Sequence, residues 1–333
     1  PGQIVLAPLR GADNDPTILG PMCNRVVSDG LRAGVNRVNM AWQLGIGGQS
    51  LEELTSPDFA YHDTDGWYVN LLDIVDDAVT AAAAVGCRYE VATLVWCQGA
   101  GGPGDYTTYK TRFGEFVDQV QEDIVDATGQ KMKPTIIVIQ PPGYTSNNLQ
   151  ALVDICAERG DVVLGAVGWG YPRIDGLHFD GEGCIQLGEI LGIARSHIDQ
   201  GRAWSAPYLR DVRRSGTTIT ANVGGPFSVV VDESIDAVMH YIPDGLGGTE
   251  PVPDYGFEYT GANITDVVVE PNQVTITLDA DASGTLNFAR SSTDHGDTNG
   301  NGNRGTIRAD AIWPPLFASD DLRLWMASGY WDL

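Results

Sequence analysis

The sequence is short of basic residues. Its 333 residues hold 20 Lys and Arg against 44 Asp and Glu, a formal net charge of −24. A chain this acidic repels phosphate, which excludes nucleic acid as the main partner unless a basic patch compensates. Only Arg210, Arg213 and Arg214 lie close together, and three arginines suit a solvated strand edge. The charge points instead to a partner that is neutral or held by short-range contacts. Long apolar runs are missing too: none approaches the ~18–20 residues of a membrane-spanning helix, so no membrane partner is expected. Cysteine is scarce and scattered. Cys23, Cys87, Cys97, Cys156 and Cys184 show no C-x-x-C spacing, so neither a disulfide framework nor a zinc site is expected; most read as small buried hydrophobes. No repeat of ~20–50 residues is present. Pro1 to Leu6 lacks the basic and apolar stretches of a secretory signal.

What is present is enough for a core: 43% of the residues are hydrophobic, and the length suits two domains. Residues 1–202 alternate short apolar runs with amphipathic stretches. Val35–Trp42, Glu90–Gln98, Pro134–Gln140 and Val162–Gly168 read as buried strands. Between them Trp67–Val85, Tyr109–Ala127, Asn148–Glu158 and Glu182–Gln200 carry apolar residues at helical spacing, with Gly86 and Gly129 as stops. Such alternation predicts an α/β fold, a doubly wound parallel sheet with helices on both faces.

From residue 203 to 333 the pattern changes to short strands punctuated by Gly, Pro, Asn and Asp. Thr217–Asn222, Phe227–Val231, Gly256–Thr260, Ile264–Glu270, Gln273–Leu278 and Thr285–Ala289 predict a C-terminal β-sandwich. Gly296–Gly305 reads as a Gly/Asn-rich loop. Its D-x-N-x-N spacing is like that of a calcium loop, but the bidentate Glu of an EF-hand is absent, and a turn is the expectation there.

Three segments carry chemistry. In Asp175-Gly-Leu-His178 a carboxylate precedes a histidine by three residues. Folded back, it can accept from Nδ1–H, fix the tautomer and leave Nε2 as a base; a surface turn accounts for the same letters. Gly45-Ile-Gly-Gly-Gln-Ser50 follows the first expected strand, at the sheet edge where α/β folds bind ligands. Glycines there let backbone N–H groups approach a ligand; a plain strand–helix turn is the alternative. Trp96-Cys-Gln-Gly99 ends the next strand and brings the Gln98 amide to the same edge. An amide and a glycine N–H converging on one point make an oxyanion hole, although Gln98 as a strand-end cap is the simpler reading.

In this order, GGQS at 47–50, WCQG at 96–99 and DGLH at 175–178, the chain resembles the SGNH (GDSL-like) hydrolases, in particular the sialate and carbohydrate O-acetylesterases, including those attached to phage tail proteins. Leu51-Glu-Glu-Leu54, Asp126-Ala-Thr-Gly-Gln130 and Asp254-Tyr-Gly-Phe257 add to the resemblance. It implies a serine esterase acting on O-acetyl or O-acyl carbohydrate without a cofactor, in which His178 is the base, Asp175 its partner, and Gly48 and Gln98 the oxyanion hole. It also implies an extracellular or virion location, with other virion or surface proteins or a second copy of the chain as further partners. The family's nucleophilic serine lies in a G-D-S or G-Q-S block after the first strand. Here Ile4–Ala7 reads as a short strand followed by Gly11-Ala-Asp-Asn14, without a serine. Gly48-Gln49-Ser50 has the right letters in the place of the family's second block, so Ser50 is the second choice, and its hydroxyl is expected to cap the turn that follows. The first expectation is a nucleophile upstream of Pro1. Ala100 stands where the family usually has Glu. The rival reading is a non-catalytic scaffolding or carbohydrate-binding protein that keeps the fold.

His62, His197, His240 and His295 have no metal-ligand spacing and read as structural or surface residues. Trp169, Trp204, Trp313, Trp325 and Trp331 read as core or interface aromatics, the exposed ones suited to stacking on sugar rings.

Overall fold

The computed structural model describes residues 17–35, 39–44, 48–55, 66–99, 105–142, 147–172, 178–232, 239–241, 249–251, 254–290 and 305–333. Among the described residues, helices come first, mixed with strands: α1 (Leu19–Arg32), α2 (Leu51–Thr55), α3 (Trp67–Ala84), β1 (Thr93–Trp96), α4 (Tyr106–Thr128), β2 (Thr135–Gln140), α5 (Asn148–Glu158), β3 (Val162–Val167) and α6 (Gly181–Asp199). The remainder is β: β4 (Tyr208–Ser215), β5 (Thr218–Gly224), β6 (Val229–Val231), β7 (Met239–Tyr241), β8 (Thr249–Pro251), β9 (Phe257–Tyr259), β10 (Ile264–Glu270), β11 (Gln273–Leu278), β12 (Thr285–Phe288), β13 (Ile307–Trp313), β14 (Leu322–Trp325) and β15 (Gly329–Asp332).

Contacts divide the chain into two units, one of residues 43–141 and 146–164, the other of residues 1–42, 142–145 and 165–333. In the first, β1 pairs in parallel with β2, from Thr93 opposite Thr135 to Trp96 opposite Val138, and β3 continues the sheet beyond β2. Ile136, Ile137, Val138 and Ile139 are almost wholly buried, as both faces of a covered parallel strand require. α4 begins at Asp105, whose carboxylate accepts from Thr108 N–H at 2.9 Å, and ends at Gly129 in the left-handed conformation (φ 65°). The Gln130 side chain then clamps the chain leading into β1, accepting from Val91 N–H at 2.8 Å and donating to Val91 O at 3.0 Å.

In the second unit α1 lies against α6. Nothing larger than hydrogen fits at the crossing: a Cβ on Gly188 would meet Ile18 O at 2.3 Å, and one on Gly192 would meet Arg25 Cβ at 2.5 Å. Glu189, fully buried in α6, accepts from the backbone N–H groups of Leu316, Phe317 and Ala318 at 2.6–3.0 Å and faces the Arg25 guanidinium at 3.5 Å. The antiparallel strands form a four-stranded sheet β10-β11-β5-β4, two three-stranded sheets, β15-β12-β9 and β14-β13-β6, and the pair β7-β8. Buried Trp169 and Trp204 donate their indole N–H groups to Met326 O and Gly165 O, both at 2.9 Å.

An α/β part followed by a β-rich part is thus what the patterns predicted, with several differences in detail. Val35–Trp42 forms no strand among its described residues, and Val35, Met40 and Trp42 are 46%, 55% and 38% exposed; a short apolar run does not by itself specify its state. α1 was not expected, because Gly20, Pro21 and Gly30 interrupt its pattern; proline is tolerated in a first turn. Cys184 is buried, but Cys87 and Cys97 are exposed and Cys23 and Cys156 half-buried, so burial of most cysteines does not hold. The expected strand at Ile4–Ala7 and most of the 296–305 loop lie outside the described residues.

Candidate active site

The glycine and glutamine blocks meet in the first unit. Gly48 has φ +79°, a left-handed conformation that side-chain-bearing residues rarely adopt. Two residues on, Ser50 opens α2 with a reciprocal pair of hydrogen bonds. Its hydroxyl accepts from Glu53 N–H at 3.2 Å, and the Glu53 carboxylate accepts from Ser50 N–H at 2.6 Å. This is a capping box, and the role expected for that hydroxyl. Between them, the carbonyl of Gln49 accepts from Gln98 Nε2 at 3.4 Å. The GGQS and WCQG blocks, 49 residues apart at this contact, are therefore within hydrogen-bond reach of each other.

Gln98 is held at its other end as well. Tyr109, 1% exposed, donates its hydroxyl to Gln98 Oε1 at 2.7 Å, and that hydroxyl's oxygen accepts from the indole N–H of Trp96 at 3.5 Å. The directions follow from chemistry. Indole N–H only donates and the Gln49 carbonyl only accepts, so Nε2 must face Gln49 and Oε1 must face Tyr109. Burial pushes the Tyr109 phenol well above the ordinary tyrosine range, keeping it a proton donor. The Trp96 ring is fixed in turn by Phe113 and Phe116, with centroids at 5.3 and 4.9 Å. Gly99 (φ +134°) ends the block, where a Cβ would meet Leu152 at 3.1 Å. Sequence reasoning found Gln98 but gave Tyr109 no role beyond opening the expected helix Tyr109–Ala127.

His178 belongs to the second unit, where the two residues that follow it are held in place. It is exposed and directly precedes Phe179, whose ring lies 2.9 Å from where a Gly168 Cβ would stand. Asp180, next along, caps α6 by accepting from Gly183 N–H at 2.8 Å, and its own N–H donates to Pro172 O at 3.3 Å. Asp175, Gly47 and Ala100 lie outside the described residues. Among the described residues no group of His, Cys, Asp and Glu has the arrangement of a metal site, and no helix is long and apolar enough to cross a membrane. Chemically, the described part of the site offers a fixed amide beside a left-handed glycine, and elsewhere an exposed imidazole on a pinned segment.

No protein-family model matches the chain, and no curated protein matches it. Among solved structures, a carbohydrate acetylesterase from Xanthomonas citri is similar at 16% identity and a TM-score of 0.44, over 72% of this chain and 49% of that one. The chain thus spans about half the length of that neighbour. A carbohydrate acetylesterase from Sinorhizobium meliloti is similar at 12% identity and a TM-score of 0.34, over 57% of this chain and 93% of that one.

Proposed function

We propose that the chain forms the acid–base and oxyanion side of an SGNH-type carboxylic-ester hydrolase that removes O-acetyl or other O-acyl groups from carbohydrate. The observation that carries the reading is the hydrogen bond from Gln98 Nε2 to Gln49 O beside the left-handed Gly48, which joins two of the three blocks. In the proposed reaction the ester carbonyl oxygen lies against Gly48 N–H and the Gln98 amide. A nucleophile attacks the carbonyl carbon, the oxygen gains the negative charge, and the two donors stabilise it. His178 Nε2 takes the nucleophile's proton and passes it to the departing sugar hydroxyl, while Asp175 holds the ring by accepting from Nδ1–H. These steps call for no cofactor. All four residues fall within 1–202, the proposed hydrolase domain, with 203–333 as its β-sandwich companion. An O-acetylated polysaccharide outside a cell, reached from a secreted or virion-borne protein, is the substrate setting that fits.

A second reading, a non-catalytic carbohydrate-binding or scaffolding protein with the same fold, is favoured by two observations. The Ser50 hydroxyl is engaged in the capping box, and Gly11-Ala-Asp-Asn14 has no serine. Hydrolysis of p-nitrophenyl acetate separates the cases. With no serine nucleophile the chain should retain only the catalysis of an oxyanion hole, ~10³–10⁴-fold over water. That residue of activity should fall on Gln98→Ala and change little on His178→Ala. Background insensitive to Gln98→Ala would favour the non-catalytic reading. Fast hydrolysis abolished by His178→Ala and by Ser50→Ala alike would make Ser50 the nucleophile.

A further inference from the structure

The second unit contains a groove of about 410 Å³ with no part in the reaction just described. It lies where the last turns of α1 and α6 run side by side, and Asp29, Arg32, His197, Gln200, Arg202 and Trp313 are among the residues lining it. Its size falls within the ~300–1,000 Å³ of small-molecule sites. Trp313 is half-buried and fixed edge and face by neighbours, with Phe227 at 5.6 Å and 85° and Trp204 at 5.2 Å and 44°. His197 meets Trp204 edge-on at 5.0 Å.

The polar wall mixes donors with acceptors. Arg32, Arg202 and the Gln200 amide donate, whereas Asp29 and the Gln200 carbonyl accept. Charge nearly cancels. Arg25, Arg32 and Arg202 stand against Asp29, buried Glu189 and the ends of α1 and α6, each helix end bringing about half a negative charge. In a chain of net charge −24, such a groove neither attracts nor repels an uncharged ligand, while the long-range field opposes anions. A ligand matched to this wall has one apolar face for the indole and a rim of groups that both donate and accept. Sugar hydroxyls do both, and the axial C–H face of a pyranose supplies the flat apolar side.

We propose that this groove is a saccharide-binding site for an uncharged pyranose, separate from the esterase residues, holding the sugar against Trp313 with Asp29, Gln200 and Arg202 on its hydroxyls. It would tether the chain to the glycan that the proposed reaction acts on. The test needs no turnover, so it stands or falls apart from that reaction. The full chain, ¹⁵N-labelled, is titrated with methyl glucoside, N-acetylglucosamine and glucuronate while the tryptophan indole N–H signals are followed. The Trp313 signal, assigned with a Trp313→Phe variant, should shift with millimolar affinity for a neutral sugar and more weakly for glucuronate. Arg202→Ala and Gln200→Ala, at exposed positions, should keep the fold and each weaken the neutral sugar about tenfold, the loss of a charged or neutral hydrogen bond. No shift at Trp313, a preference for glucuronate, or unchanged affinity in both alanine variants would overturn the proposal.

Discussion

Tyr109 grips Gln98 by its acceptor end, leaving the amide nitrogen on the side of the glycine block. Tyr109→Phe keeps the ring but removes that donor, and the loss of such a hydrogen bond costs ~0.5–1.5 kcal/mol. Denaturant unfolding should show this loss, and a double-mutant cycle with Gln98→Ala should show coupling above ~0.5 kcal/mol. Additive effects would mean that the hydroxyl does not hold the amide. His197 supplies a second expectation at this scale. Burial, then the charge of Arg202, lowers its pKa from 6.5. A histidine that resists protonation when folded contributes stability above its unfolded pKa and loses it as pH falls through the folded one. Unfolding free energy should therefore drop as pH is taken below 6.5, and His197→Asn should flatten that step. An unchanged step in the variant would assign it to other groups.

The elements differed in how clearly the sequence announced them. α5 matches its expected bounds, and α4 starts three residues before the expected Tyr109 but stops at Gly129 as read, because a long apolar face leaves few alternatives. β1 came out shorter than Glu90–Gln98: the Gln130 side chain takes the backbone groups of Val91 at one end, and the Tyr109 hydroxyl donates to the Gln98 carbonyl at the other. α1 was hidden by its own glycines and proline; what makes it a helix is burial against Gly188 and Gly192, a tertiary cause that no local pattern carries. α2 has only five residues and rests on its cap. Ser50→Ala should therefore destabilise by about 1 kcal/mol, measured by thermal or chemical unfolding, and leave ester hydrolysis where it was. Unaltered stability would contradict the capping role, and lost hydrolysis would contradict the placing of the nucleophile elsewhere.

Across the whole molecule, the ordered blocks brought the segments holding Gly48 and Gln98 together, and Gln98 does reach Gln49, although the strand expected at Val35–Trp42 to lead into the first block does not form among its described residues. The same logic could not supply Tyr109, nor the groove beside Trp313, because both arise where elements distant in sequence pack together. It also cannot weigh His178 against the oxyanion residues, which are held by different units of the chain. The claim that they serve one ester rests on block order and is open to direct measurement. Acetate, the product of the proposed reaction, carries a charged oxygen that the oxyanion donors and the base would share if they serve one ester. In an NMR titration, the Gly48 N–H, the Gln98 side-chain N–H₂ and the His178 ring signals should move together along one saturation curve, and Gln98→Ala should weaken the response of all that remain. Shifts at Gly48 and Gln98 with His178 unmoved, or His178 moving at a different acetate concentration, would contradict a shared site.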